Sequence, residues 1–356
     1  MSKAMAVLIP GSRCMFRIVI LLVLLCSLTF TWSRDLPRVL VLSTGGTIAH
    51  LPDRYISGEQ LVREIPQLAE HAQLEAEEVV RIPSSEVGPQ LWLKLANRVN
   101  EIYAQNADLE GIVITHGSNT VAETAYFLNL TVKDSRPVVF TAAQRLHGTL
   151  SADGPHNLLD AVRVAAHPSA RGRGVLVVAN GEINAARDVT KTITYRLETY
   201  KSRDIGSLGY VDRDQVVFYR SIDSKHTYRS EFKISSVEWL PRVDIVYAAA
   251  GIDGEIVKGI LGSASPRGIV VAGFPTGEVH PAMETELVKA SETGVFVVVT
   301  SRSGVGRVAD IHPRYRSRSN WILGDNLTPQ KARILLMVAL TQIAGGKELQ
   351  RIFQEY

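Results

Sequence analysis

Short runs that are apolar throughout alternate along the chain with longer amphipathic stretches. Residues 39–42, 111–115, 137–140, 174–179, 243–248, 268–272 and 295–300 read as strands. Several lack a polar position on either face, as strands covered on both sides do. Stretches with helical spacing follow several of them, at 121–130, 157–166 and 284–292. A last helix is expected over 329–344, with Thr328 as N-cap and Pro329 in its first turn. Strand, turn and helix in repetition predict an α/β fold built on a doubly wound, mostly parallel sheet. The pattern turns polar and irregular from Asp212 to Arg242, with charge and hydroxyls crowded into 220–230. That stretch predicts a crossing linker. The resulting division is a large N-terminal domain over 36–220, a linker over 221–242 and a smaller C-terminal α/β domain over 243–356.

The first 33 residues do not fit this pattern. Arg13 and Arg17 precede an apolar run from Ile18 to Leu28, and the small residues Thr31 and Ser33 follow it. A positive flank, a short apolar stretch and a small-residue cut site describe a signal peptide over 1–33. Met15 as the start would shorten its positive region. The competing reading is a membrane anchor, for which about 20 apolar residues are needed and the run is short. Cys26 raises a lipoprotein reading, but Leu24 and Leu25 before it are poor signals for lipidation. The expectation is therefore an exported protein, periplasmic or secreted, with no stable membrane anchor.

Removing the leader changes the charge. The whole chain has 39 Lys and Arg against 36 Asp and Glu, and Lys3, Arg13 and Arg17 supply the excess. The remainder is balanced and gives no reason to expect nucleic acid as a partner, which calls for a clustered basic face. Both cysteines, Cys14 and Cys26, also fall in the leader. Without it the chain has no disulfide, thiolate nucleophile or cysteine metal site. The nine histidines show no ligand spacing, so neither metal nor cofactor is expected.

In an open parallel sheet, ligands bind beyond the carboxyl ends of the strands. After 39–42 comes Ser43-Thr44-Gly45-Gly46-Thr47-Ile48-Ala49, where two glycines permit a tight turn and Thr47 carries a hydroxyl. After 111–114 comes Thr115-His116-Gly117-Ser118-Asn119-Thr120, a second glycine turn with hydroxyls; Thr120 and Glu123 have capping-box spacing. Arg187-Asp188-Val189-Thr190-Lys191-Thr192 adds a lysine among hydroxyls. A hydroxyl is a weak nucleophile until a base or lysine activates it, and these three segments contain such a set. Each also has a plainer reading: a Gly-Gly-Thr turn, hydroxyls that cap the next helix, a solvated lysine, and a packed His116.

Taken together, the segments resemble the bacterial type II L-asparaginase family, which includes the glutaminase-asparaginases. The matching stretches are 43–49 (STGGTIA), 114–120 (ITHGSNT), 123–131 (ETAYFLNLT), 150–155 (LSADGP), 187–192 (RDVTKT) and 329–335 (PQKARIL). They extend over essentially the whole chain beyond the leader. The resemblance implies a metal-free and cofactor-free amidohydrolase that cleaves a small carboxamide, assembled as a homotetramer with active sites between subunits. It implies Thr47 as nucleophile and Tyr55 as the lid tyrosine that activates it. Ser84 is implied to hold the substrate α-carboxylate, and Lys191 to work with a second hydroxyl at Ser118.

Several positions depart from the family's pattern. Ser118-Asn119 stands where the family has Thr-Asp, so a negative charge that meets the substrate ammonium is missing. Ser85 replaces a common glutamine, Glu278 an asparagine, and Pro313 an intersubunit glutamate. The lid between Thr47 and Ser84 is several residues shorter. The hydrolytic half is thus kept while recognition of the α-amino group, through Ser85, Asn119 and Glu278, is rebuilt. Hydrolysis of L-asparagine is the first reading. The others are the same chemistry on glutamine, an N-substituted asparagine or another amide, and a binding protein that has lost turnover. From the leader we expect amino-terminal sequencing of the exported protein to begin near Arg34; an intact leader retained in the membrane fraction would instead support the anchor.

Overall fold

In the computed structural model, residues 36–311, 313–316 and 318–356 are described, and 37–356 form one compact unit. The leader, with Cys14 and Cys26, lies outside the described residues. No helix among the described residues is long and apolar enough to cross a membrane.

The strands are β1 (Arg38–Gly45), β2 (Gln73–Ile82), β3 (Leu109–Thr115), β4 (Val138–Thr141), β5 (Val175–Ala179), β6 (Glu182–Ala185), β7 (Thr190–Lys191), β8 (Tyr200–Lys201), β9 (Gly209–Val211), β10 (Val216–Phe218), β11 (Val243–Tyr247), β12 (Gly268–Gly273), β13 (Phe296–Ser301) and β14 (Trp321–Leu323). The helices are α1 (Gly58–Arg63), α2 (Pro89–Gln105), α3 (Val121–Thr131), α4 (Gly154–Ala165), α5 (Glu255–Ala264), α6 (Pro281–Glu292), α7 (Pro313–Arg316), α8 (Pro329–Ala339) and α9 (Gly346–Glu355). The first sheet has eight strands in the order β10-β9-β6-β5-β4-β3-β1-β2, and the second has four in the order β11-β12-β13-β14. Strands β2, β1, β3, β4 and β5 run parallel, while β6, β9 and β10 complete the sheet antiparallel. The second sheet is parallel throughout.

Every strand expected from an unbroken apolar run is present, within three residues at each end. The fold is a mostly parallel α/β sheet in a large N-terminal domain, followed by a smaller α/β domain. Other elements differ from expectation for identifiable reasons. Strand β2 is an edge strand whose acidic positions are paired: Glu75 with Arg38, Glu77 with Arg98 of α2 at 2.8 Å, and Glu78 with Arg81 of the same strand at 2.7 Å. An edge strand with that many charges carries no apolar run. Helix α2 buries Trp92, Leu95, Ala96, Val99, Ile102 and Tyr103, one stripe at helical spacing. Part of the irregular 212–242 stretch is strand, since Val216–Phe218 pairs with β9. Of the rest, Phe232 and Ile234 are buried in the core. The helix expected over 329–344 is α8, which stops at Ala339, and a further helix not expected from the pattern, α9, follows Gly345.

One buried cluster binds both sheets. It includes Ile112 and Ile114 of β3, Phe140 of β4, Tyr126 and Phe127 of α3, Val270 of β12, Val298 of β13, and Leu335, Leu336, Leu349, Ile352 and Phe353 of α8 and α9. Helices α3 and α8 pack on each other in the layer between the sheets. Helix α9 closes this layer with Leu349, Ile352 and Phe353, all fully buried. Phe353→Ala should therefore lower stability by about 3–5 kcal/mol, read as a lower midpoint in chemical denaturation. A loss under about 1 kcal/mol, typical of a surface site, would contradict this packing.

Candidate active site

In the first sheet the strand order reverses direction beside β1, whose neighbours are β2 and β3. At such a switch point the turns leaving adjacent strands diverge and open a crevice. Here the turns are those of Thr47 and Ser118. Ser43 pairs with Thr115 across β1 and β3, and the Thr44 hydroxyl donates to the Thr115 carbonyl at 2.9 Å. The two turns then touch through backbone. Gly46 has φ of 80°, and a Cβ there would lie 2.2 Å from Gly117 Cα. Gly117 in turn leaves no room for a side chain, since its Cβ would meet Ser84 Oγ at 2.5 Å. Glycine is required at both positions by close approach, and at Gly46 by its positive φ as well.

Around this contact the structure gathers four of the expected residues. Ser84, just after β2, is buried; its Oγ accepts from the Asn119 main-chain N–H at 3.2 Å. Its carbonyl accepts from the Thr120 hydroxyl at 2.8 Å. Thr120 therefore ties two loops together and makes no side-chain cap on α3, contrary to the capping-box expectation. Lys191 Nζ donates to Ser118 Oγ at 2.9 Å and lies 3.5 Å from Asn119 Oδ1. Partial burial holds the Lys191 ammonium below the usual lysine range, which favours the neutral amine a proton relay needs.

Lys191 reaches Ser118 from a two-stranded ribbon. Thr190 pairs with Lys201 and Lys191 with Tyr200, and Tyr200 Oη donates to the Ser118 carbonyl at 3.5 Å. Strand β7 thus delivers the lysine and β8 a tyrosine to one residue. Tyr200 carries no motif and was not anticipated from sequence.

Thr47 opens a short 3-10 turn after Gly46 and is half-buried. Three residues on, His50 begins a tight reversal: Leu51 N–H donates to the Arg54 carbonyl at 2.8 Å, and Ile56 N–H to the Ala49 carbonyl at 2.8 Å. Tyr55 sits on this reversal with its ring stacked 4.4 Å from that of His50. His50 is fixed from outside by its carbonyl, which accepts from the His147 N–H. His147 Nε2 lies 2.6 Å from Glu64 Oε2. Residues 49–56 thus form a folded-back hairpin.

Ser85 is exposed in the turn beside Ser84. Glu278 lies in the turn after β12, where its carboxylate accepts from the Thr276 hydroxyl at 3.1 Å and its carbonyl from Phe274 N–H. His116 takes its packed reading. It is fully buried between Gly117 O at 2.9 Å and Thr124 Oγ1 at 3.1 Å, and burial lowers its pKa to about 4. It stays neutral at physiological pH and supports the turn from beneath.

Paired hydroxyl turns at the switch point of a parallel sheet, with a lysine on one of them, form a site suited to acyl transfer by an α/β hydrolase. Comparison with known proteins places that class more narrowly. The asparaginase N-terminal family profile matches residues 38–224, and the glutaminase/asparaginase C-terminal domain profile matches residues 242–353. The chain belongs to the asparaginase family, and it is an asparaginase-type amidohydrolase. It is 40% identical to the probable periplasmic L-asparaginase of Haemophilus influenzae, over 90% of this chain and 94% of that one. It is 40% identical to L-asparaginase 2 of Bacillus subtilis, over 91% and 88%. Identity with the glutaminase-asparaginase of Pseudomonas fluorescens biotype A is 38%, over 90% of this chain and 91% of that one. The crystal structure of a probable cytoplasmic L-asparaginase from Campylobacter jejuni superposes with a TM-score of 0.86 at 37% identity. That match covers 90% of this chain and all of the other.

The Gly46–Gly117 contact gives a direct test of this geometry. Gly46→Ala should destabilise the protein by about 2 kcal/mol or more through overpacking and should abolish amide hydrolysis in the molecules that still fold. A folded Gly46→Ala variant with near wild-type turnover would show that the turns need not touch.

Proposed function

We propose that the chain hydrolyses L-asparagine to L-aspartate and ammonia with Thr47 as nucleophile. The observation that carries this reading is the Lys191–Ser118 hydrogen bond, set against the Thr47 turn by the Gly46–Gly117 contact. Thr47 Oγ1 attacks the side-chain amide carbon while Tyr55, on the short lid, takes part in its activation. Ser118 and Lys191 pass the proton that the departing ammonia requires. The acyl-enzyme is then hydrolysed by water to release the acid. Main-chain N–H groups at the glycine turns stabilise the oxyanion, an effect worth about 3–4 kcal/mol per donor in other enzymes. Ser84 holds the substrate carboxylate, with Ser85 at its rim.

Recognition of the α-amino group is the altered part. Asn119 turns its amide oxygen toward Lys191, and its main-chain N–H is taken by Ser84. An uncharged amide beside an ammonium replaces what would otherwise be a carboxylate partner for the substrate cation, and a desolvated cation without such a partner is costly. In the proposed homotetramer, with sites between subunits, Glu278 supplies the missing acid. The alternative substrate is an amide without a free ammonium. We also propose export, on the leader pattern; relatives carry both compartments in their names, periplasmic in Haemophilus influenzae and cytoplasmic in Campylobacter jejuni.

Thr47→Ala should fold normally and release no ammonia above background. Lys191→Met should lose about a hundredfold or more in turnover, the scale of a missing proton-transfer group. Retained activity in either would remove that residue from the mechanism. Glu278→Gln should raise KM for asparagine by about tenfold, the scale of one lost charge-assisted hydrogen bond, with little effect on N-acetylasparagine. A wild-type preference for the acetylated compound, unchanged by the substitution, would defeat the relocated acid.

A further inference from the structure

Lys331 is the most deeply buried lysine among the described residues, 2% exposed, yet it belongs to no part of the mechanism above. It lies in the first turn of α8, where Thr328 caps the helix with its hydroxyl. A cation is disfavoured there twice, by loss of water and by the positive end of the helix dipole. Its Nζ donates to the carbonyl of Arg187 at 2.7 Å and to that of Val189. Those carbonyls belong to the turn between β6 and β7, and Val189 is two residues before Lys191.

The same turn is held from a second direction. Arg187 donates to the Tyr356 carbonyl at 2.6 Å and to Asn326 Oδ1 at 2.9 Å. Its guanidinium also pairs with Asp188 at 3.0 Å. Beyond Lys191, the ribbon is held by its pairing with β8, by Thr192 N–H to the Thr199 carbonyl at 2.8 Å, and by Gln144, whose amide donates to the Thr194 and Arg196 carbonyls at 3.2 Å. On the other side of Lys191, two residues away, the chain is held where it enters β7. At that point the partners Asn326, Lys331 and Tyr356 come from the C-terminal part of the chain.

We infer that Lys331 is a positioning residue for Lys191: by gripping the Arg187 and Val189 carbonyls, it fixes the entry of β7 and so the reach of the lysine to Ser118. Burial supports a structural rather than a solvated role, since it pushes the Lys331 ammonium down to about 7. Asp188 and Glu123 favour its charged form, whereas Arg187 and Arg203 oppose it. Charged or neutral, the amine keeps enough N–H groups for two carbonyls. The nearby Tyr126 ring, 5.8 Å from Nζ, closes the cavity around it.

This inference rests on the proposed role of Lys191, and its test separates the two. Lys331→Met keeps the stem and removes the donors; Lys331→Gln keeps a shorter donor. Steady-state kinetics are measured on both, corrected for folded fraction, beside Lys191→Met. We expect kcat for ammonia release to fall about tenfold or more in Lys331→Met and less in Lys331→Gln, with KM within about twofold of wild type, since substrate-binding groups are untouched. A purely structural lysine would lower the melting temperature and leave kcat per folded molecule unchanged; that result in Lys331→Met overturns the inference. Failure of both variants to fold would assign Lys331 to folding alone and equally overturn it. Full activity in Lys191→Met would remove the underlying reading of the site, whereas an inactive Lys191→Met beside normal Lys331 variants would remove only this inference.

Discussion

Gly46 approaches Gly117 so closely that it could carry no side chain, and Ser84 leaves no room for one on Gly117. That backbone contact decides the rest of the site. It joins the turn after β1 to the turn after β3, and Ser84 reaches the pair from the end of β2 across Gly117. Three loops from three neighbouring parallel strands thereby become one rigid corner. The hydroxyls of Thr44 and Thr120 stitch the same loops, and His116 fills the space beneath them as a neutral, buried ring. Catalytic groups need placement to within a fraction of an ångström, and a backbone contact with no freedom to rotate provides it better than side chains can.

The parts legible in the sequence were those with a local cause. Apolar runs at 39–42, 111–115 and 268–272 marked buried strands because both faces of such a strand are covered. Glycine next to a hydroxyl at a strand end marked the site because turns at that place must be tight. What sequence did not reveal depended on distant partners. Strand β2 hides its pattern behind charges answered by Arg38 and Arg98. Tyr200 reaches Ser118 only because a ribbon folds back, and nothing in its neighbourhood announces that. Thr120 looked like a cap because its spacing to Glu123 is right, but its hydroxyl found a better acceptor in Ser84. Lys331 did leave a trace: it occupies the first position of an i, i+3, i+4, i+7 stripe completed by Ile334, Leu335 and Val338, so its place on the buried face was readable.

The two sheets share more than a chain connection. One core passes from β3 and β4 through α3, α8 and α9 to β12 and β13, and polar contacts follow the same route. Lys331 and Asn326 from the C-terminal part, with the Tyr356 carbonyl, hold the turn that carries Lys191. The Tyr55 hairpin is tied within the N-terminal part, through His50, His147 and Glu64. The candidate site and the Tyr55 hairpin both lie on turns of the first sheet, while Glu278 stands on a turn of the second sheet.

The central claim is that the hydroxyl of Thr47, and not that of Ser118, carries the acyl group. Rapid quenching of the reaction with asparagine, followed by peptide mass analysis, tests it most directly. One β-aspartyl group should appear on the peptide that contains Thr47 during turnover and disappear as substrate is exhausted. The same adduct on the Ser118 peptide, or steady ammonia release with no adduct on either, would contradict the account.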